Sequence, residues 1–409
     1  MRSKEIVFLL PGAGAALGDT LPLVRLGSVL ADHGHSVTLV LAEKTRSALE
    51  SSVGVDGRFG VEVFPERSDL RYDWVGRLPL PSRKLIAYTL VHVVPESFAK
   101  RDSLVELVRR RGGVDVVVGS CVGMEELSRS HPFARVGVGP SPYAVAVWKR
   151  PQYRAVWSFC AHVTDRLVVR PALERRGVRS LPWPSRSRVL GLWSPLLLDS
   201  GSAGRISWES LGFPPPVESA LPAPLEAFLR AGPAPVVFSL GSYTASVGLD
   251  RVISTARDVA DRLACRVVVT TLEPEASLAS RELPDSITLT SFVNLDALLP
   301  RARALVHHGG IGTTACALRA GIPSVAAPMA FDQPFNARRC ADLGAGAVVE
   351  PLTRVASATL AEAIASAAGG GHREILQRVS RRVRDEDGFA AAAARIEGLP
   401  ARDALAAGA

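Results

Sequence analysis

Residues 307–314 read His-His-Gly-Gly-Ile-Gly-Thr-Thr. An apolar run from Ala304 ends on the two histidines, turns through Gly309, Gly310 and Gly312, and enters the helical pattern Thr313–Ala320. A strand that turns on glycines into a helix leaves unpaired N–H groups at the positive end of the helix dipole, a place suited to phosphate. The glycines let a bulky anion approach the backbone, while His308 and Thr313 add side-chain donors. Two histidines at the end of a buried strand are costly without a partner, which a turn needing glycine only for shape does not explain.

Some twenty residues on stands Ala330-Phe331-Asp332-Gln333-Pro334-Phe335-Asn336. Asp332 and Gln333, side by side after a strand, place a carboxylate and an amide where they can hold neighbouring hydroxyls. Asp332 could equally cap the following helix. Next to an anion site, a phosphorylated sugar becomes the natural ligand.

Outward from this stretch the same alternation continues. Strands Val236–Leu240, Val267–Thr270, Ser324–Ala327 and Ala347–Val349 are interleaved with helices Leu249–Leu263 and Asn336–Leu343, so residues 236–371 read as a Rossmann-like domain. The N-terminal half repeats the pattern with strands Ile6–Leu10, Val37–Leu41, Val61–Phe64 and Val114–Gly119, and helices Leu21–His33 and Arg101–Arg111. The expected fold class is α/β, with two doubly wound parallel sheets. Domain one is residues 1–212, losing regularity from Tyr143 to Phe213. A Pro-rich linker follows at 213–235, where Phe213-Pro-Pro-Pro precedes Pro222, Pro224, Pro233 and Pro235. Residues 372–398 read as helix and 399–409 as a frayed tail.

Composition narrows the classes. The 409 residues are 47% apolar and 22% charged, which excludes a largely disordered, collagenous or coiled-coil chain. The mean hydropathy of +0.18 is high, but no run approaches the roughly 18 apolar residues of a membrane span. The run Ile6–Leu10 is too short for a signal peptide, and Glu5 and Pro11 flank it. The net charge is +8, yet the arginine clusters at 109–111, 175–176 and 381–382 are not interleaved with aromatics, so they read as solvated surface and not as a nucleic-acid platform. Five scattered cysteines without a CxxC pair exclude a disulfide scaffold and fit a reducing cytoplasm. All six tryptophans lie between Trp74 and Trp208; Trp74, Trp148 and Trp157, and with them Trp183 and Trp193, are candidates for an apolar acceptor pocket, against a plain core role.

The residues from Ser291 to Gly346 resemble the donor-binding signature of the GT-B-fold, nucleotide-sugar-dependent glycosyltransferases, in the bacterial macrolide and glycopeptide group related to the UDP-glycosyltransferases. They are Ser-Phe-Val293-Asn-Leu-Asp-Ala-Leu-Leu-Pro, the glycine run above, Gly321-Ile-Pro and Asp332-Gln333-Pro-Phe-Asn336. Phe238-Ser-Leu-Gly241-Ser242 and Glu386-Asp-Gly388-Phe-Ala-Ala extend the likeness. The resemblance implies two domains facing across a cleft, with the last helix (372–398) returning to the first domain. It implies that His308, Gly310, Gly312 and Thr313 serve the diphosphate, Asp332 and Gln333 the sugar, Val293 the nucleobase, and Ser242 the phosphate or acceptor. It implies a UDP- or dTDP-sugar donor, an apolar natural-product acceptor, no metal or other cofactor, and a cytoplasmic monomer or homodimer. Asp385-Glu-Asp387 only imitates a metal-binding DxD, because it sits in an Arg-rich helix.

Inverting transfer needs a base for the acceptor hydroxyl. The family's usual histidine before a proline is missing: the loop reads Gly18-Asp19-Thr20-Leu-Pro22, as in the glycopeptide and sterol subset. Asp19 is therefore the candidate base, or orienter of the acceptor, against a helix-capping role. The strand Val114–Gly119 also ends in Ser120-Cys121 where the family often has an aspartate to steady its histidine. His35 reads as structural. Two alternatives stay open: a catalytically silent or partner-dependent sugar-nucleotide-binding homologue, and an NAD(P)-dependent oxidoreductase. The second would use Gly12-Ala-Gly14-Ala-Ala-Leu17-Gly18, broken at its third glycine, with Glu43 as the ribose acid.

Overall fold

Alternating strands and helices build two parallel sheets. The computed structural model describes residues 2–10, 17–52, 57–64, 94–119, 124–148, 173–174, 187–278 and 280–407. The chain divides into two units, residues Met1–Pro214 with Asp387–Ala409, and Pro215–Glu386.

The first unit holds β1 (Glu5–Leu9), β2 (Ser36–Ala42), β3 (Phe59–Phe64), β4 (Val116–Val118), β5 (Ala134–Gly139), β6 (Ser187–Gly191), β7 (Gly201–Ala203) and β8 (Ile206–Ser210). Their order is β3-β2-β1-β4-β5-β6-β8-β7, with only β7 antiparallel to its neighbour. Its helices are α1 (Leu17–Asp32), α2 (Glu43–Ser52), α3 (Val94–Arg111), α4 (Met124–Ser130) and α5 (Tyr143–Trp148). Side chains of β1 alternate between two cores, as a sheet covered on both faces requires. Ile6 and Phe8 pack with Leu23, Leu26 and Leu30 of α1. Val7 and Leu9 pack with Leu104 and Leu107 of α3.

The second unit holds β9 (Val236–Ser239), β10 (Val267–Thr270), β11 (Ile287–Thr290), β12 (Ala304–His307), β13 (Ser324–Ala326) and β14 (Gly346–Val348), all parallel, in the order β11-β10-β9-β12-β13-β14. Its helices are α6 (Ala223–Arg230), α7 (Thr244–Val247), α8 (Leu249–Leu263), α9 (Glu275–Leu278), α10 (Leu295–Leu298), α11 (Ile311–Ala320), α12 (Gln333–Asp342), α13 (Ser357–Ala368) and α14 (Arg373–Arg384). The chain then rejoins the first unit as α15 (Gly388–Glu397) and α16 (Arg402–Ala407).

Three sequence expectations change. The irregular stretch 143–213 contains β6, β7 and β8. Its Trp193 is fully buried and donates Nε1–H to Ser210 Oγ at 2.8 Å, so it is a core residue. Residues 213–235 are not a bare connector, because α6 packs Leu225 and Leu229 into the second unit's core. Residues 372–398 form two helices, not one. Asp387 ends the run by accepting the Ala390 N–H and capping α15, while Gly388 donates its N–H to Phe213 O at 2.9 Å. Only α15 belongs to the first unit. The helix α14 stays with the second, where Ser380 Oγ and Arg384 Nε both donate to Arg319 O, at 2.7 and 3.0 Å.

The return is well anchored. Phe389, Ala392, Ala393 and Ile396 join the core around α1. His35, buried, accepts the Lys4 N–H at Nδ1 and lies 3.3 Å from Glu397 through Nε2. The tail residues 399–409 include α16, where Arg402 N–H donates to Asp115 Oδ1 at 2.8 Å.

Candidate functional site

The second sheet runs outward in both directions from β9 and β12, so the gap between those two strands is its switch point, where ligands of open α/β sheets bind. Register places Ser239 against Thr270 on one side and His307 on the other. The loops after β9 and β12 therefore emerge side by side. They carry Gly241–Tyr243 and His308–Gly310.

His307 is the last buried residue of β12, and its Nδ1 accepts the Gly309 N–H at 3.3 Å. Burial, helped by the neighbouring His308, pushes its pKa down to about 3, so the ring is neutral. It shapes the turn from within. His308 points the other way, stacked on Tyr243 with ring centroids 5.5 Å apart. Burial lowers its pKa too, against the opposing pull of the Ser239 backbone and the Asp332 charge. Its Nε2 lies against Gly310, where a Cβ would strike the ring. Gly310 is the N-cap of α11 and offers no side-chain cap, so the first N–H groups of that helix are open to a ligand beside the imidazole. Gly309 adopts φ +87°, and a Cβ there would come 2.8 Å from Gln333 O, so only glycine lets the turn close against the next loop.

That loop carries Asp332 and Gln333. Asp332 occupies the N-cap position of α12, yet its carboxylate makes no cap bond. It accepts instead from Asn336 Nδ2 at 2.8 Å. Gln333 is buried, and its Oε1 accepts the N–H groups of Met329 and Ala330 at 2.8 and 3.1 Å. Those bonds clamp a turn in which Phe331 is held at φ +55°, a conformation that costs a non-glycine residue about 1 kcal/mol or more. Only the Gln333 amide nitrogen is left for a hydroxyl. Asn336 also donates from Nδ2 to Gly309 O at 3.0 Å, tying the two loops together.

Of the other predicted residues, Ser242 is exposed in the turn after β9 and Thr313 is partly exposed in the first turn of α11. Gly312 is exposed, with open space where a Cβ would stand. Val293 is buried in the core with Leu298 and Leu299, next to the exposed Phe292. Asp19 lies in the first turn of α1, at the carboxyl end of β1, and is described by backbone alone, as is Trp148 at the end of α5. Trp74, Trp157, Trp183, Ser120, Cys121 and the glycines of 12–16 lie outside the described residues. Sequence reasoning missed Tyr243 and Asn336 as site residues; the second was legible as an amide four positions after Asp332 on a helix. Among the described residues no group of three or more His, Cys, Asp or Glu side chains could hold a metal ion.

The segment that carries these loops resembles known proteins. Residues 257–395 match the family described as Erythromycin biosynthesis protein CIII-like, C-terminal domain. Across 98% of this chain and 100% of the other, the structure superposes with a TM-score of 0.71 on the glycotransferase of kitacinnamycin, at 21% identity. Spinosyn rhamnosyltransferase SpnG complexed with thymidine diphosphate gives 0.67 over 96% of this chain and 100% of that one, at 18% identity. The chain has the GT-B glycosyltransferase fold. Glycosyltransferase GtfE of Amycolatopsis orientalis is 32% identical over 241 residues, 56% of either chain. Vancomycin aglycone glucosyltransferase of the same organism is 35% identical over 46% of this chain and 44% of its own. O-mycaminosyltylonolide 6-deoxyallosyltransferase of Streptomyces fradiae is 34% identical over 45% and 38%. The matched part thus spans about half, or less, of these relatives' length. Among the described residues no helix is long and apolar enough to cross a membrane.

Proposed function

We propose that this GT-B protein is an inverting glycosyltransferase that moves a sugar from a UDP- or dTDP-sugar to a hydroxyl of an apolar natural-product acceptor, with no resident metal or cofactor. The observation that carries the reading is the uncapped start of α11 with the His308 ring beside it and the free edge of the Asp332 carboxylate one loop away. A helix start and an imidazole suit a diphosphate, and a carboxylate not engaged in capping suits sugar hydroxyls. Relatives at 32% and 35% identity over about half of the chain are named glycosyltransferases.

In this reading the acceptor oxygen forms a bond to the anomeric carbon as the bond from that carbon to the diphosphate oxygen breaks. The electron pair leaves with the nucleoside diphosphate, whose growing charge meets the N–H groups of α11 and His308. The hydroxyl proton passes to the Asp19 carboxylate. A carboxylate in the first turn of a helix is favoured in its charged form, which makes it a modest base. Val293 offers backbone groups to the nucleobase, Ser242 reaches the phosphate or the acceptor, and Trp74, Trp148 and Trp157 serve the acceptor.

Asp19→Asn tests the chemistry. It should reduce transfer by about 100-fold or more, the usual scale of a lost general base, while titration with UDP or dTDP is unchanged. Normal turnover by that variant would remove Asp19 from the mechanism. Diphosphate binding by the wild-type protein without product from any screened donor and acceptor would favour the silent sugar-nucleotide binder.

A further inference from the structure

Asn336 is 0% exposed, and both hydrogens of its amide are engaged, one by Gly309 O at 3.0 Å and one by Asp332 Oδ2 at 2.8 Å. Both partners can only accept, so the amide nitrogen must face them and the orientation of the group is fixed by chemistry. That orientation leaves Oδ1 buried with no partner among the described residues, which costs stability. One side chain therefore holds the carbonyl of the glycine turn and one oxygen of the carboxylate in the neighbouring loop. Asp332 sits at a helix start but its carboxylate does not cap it, and the hydrogen bond from Asn336 holds its side-chain torsions.

We propose that Asn336 is the positioning residue of the donor site: it aims Asp332 at the sugar by reference to the Gly309 turn beneath the diphosphate, so that both halves of the donor are read together. This rests on the sugar-nucleotide reading above. With Asp332 Oδ2 held, Oδ1 remains to accept from a sugar hydroxyl, and a carboxylate locked beforehand loses less entropy when it binds. The inference separates Asn336 from a residue that only stabilises the loop. A loop stabiliser would affect the free diphosphate and its sugar conjugate alike, whereas an aiming residue affects the conjugate selectively.

The test is calorimetric titration of UDP, dTDP, UDP-glucose and dTDP-glucose into wild type, Asn336→Ala, Asp332→Ala and the double variant. The quantity read is the affinity of a conjugate relative to its own free diphosphate. Asn336→Ala should lower that ratio by about 10-fold, the scale of one hydrogen bond to a charged group. Asp332→Ala should lower it similarly, and the double variant should fall no further than the larger single loss. Equal losses for conjugate and free diphosphate, an unchanged ratio, or additive losses would each overturn the proposal. If Asn336→Ala fails to fold, Asn336→Ser, which keeps one donor, is held to the same criterion. A wild-type protein that bound none of the four would bring down the donor-site reading itself. A wild type that bound normally, with the ratio intact in the variants, would bring down only the role of Asn336.

Discussion

The two adjacent histidines show how one residue type takes two roles within 4 Å of backbone. His307 is locked neutral inside, and its depressed pKa has a consequence for stability. The unfolded chain binds a proton near pH 6.5 that the folded chain refuses until about pH 3. Stability should therefore fall as pH drops from about 6.5 toward 3, by up to about 1.4 kcal/mol per unit. Urea denaturation of His307→Gln should show a flatter profile across that window, and an identical profile would refute the assignment. His308 stacks on Tyr243 beside the start of α11, where the proposed diphosphate would lie. Its pKa is lowered in the free protein, and a diphosphate beside it would raise it, so binding should take up a proton and tighten as pH falls. Titration in buffers of different ionisation enthalpy would reveal that uptake in the wild type, and His308→Gln should lose it.

At the scale of elements, the loop after β12 explains its glycines individually. Gly310 makes room for the His308 ring, so Gly310→Ala should displace the imidazole and weaken diphosphate binding. Gly312 has only open space where a methyl would stand. Gly312→Ala should leave the melting temperature within about 2 °C, as expected of an exposed substitution, yet impair UDP or dTDP binding if the anion seats there. Unimpaired binding would place the anion elsewhere. The His-His-Gly-Gly-Ile-Gly run was legible because its chemistry is local: strand, turn and helix start are contiguous. The role of Gln333 was not. Its oxygen is held by Met329 and Ala330, a loop conformation that no residue spacing announces. The short strands β6–β8 were equally hidden, since Trp193 and Trp208 pack a sheet edge whose pairing is set by partners distant in sequence.

At the scale of the whole molecule, the chain's last segment decides the integrity of the first unit. Phe389 and Ile396 bury against α1, with Arg25 lying over the Phe389 ring, 5.2 Å from its centroid. Phe389→Ala should cost about 3–5 kcal/mol, as for other buried aromatic truncations, and should lower the thermal transition of the first unit while the second still binds a diphosphate. A variant that melted like the wild type would mean α15 is dispensable. The alternation of strands and helices made both parallel sheets readable from sequence. The exchange point at Asp387 was blurred because the Arg-rich α14 and the Ala-rich α15 both read as helix, and a break of three residues with a capping aspartate separates them.

In the proposed enzyme the start of α11 and His308 form the diphosphate site. Calorimetric titration of UDP and dTDP into wild type and His308→Ala tests it most directly. Saturable one-site binding of at least one nucleotide to the wild type is expected, with a loss of about 10- to 100-fold in the variant, the range for a charge-assisted hydrogen bond. Equal affinity in both proteins, or binding of NAD(P) in place of either nucleotide, would contradict it.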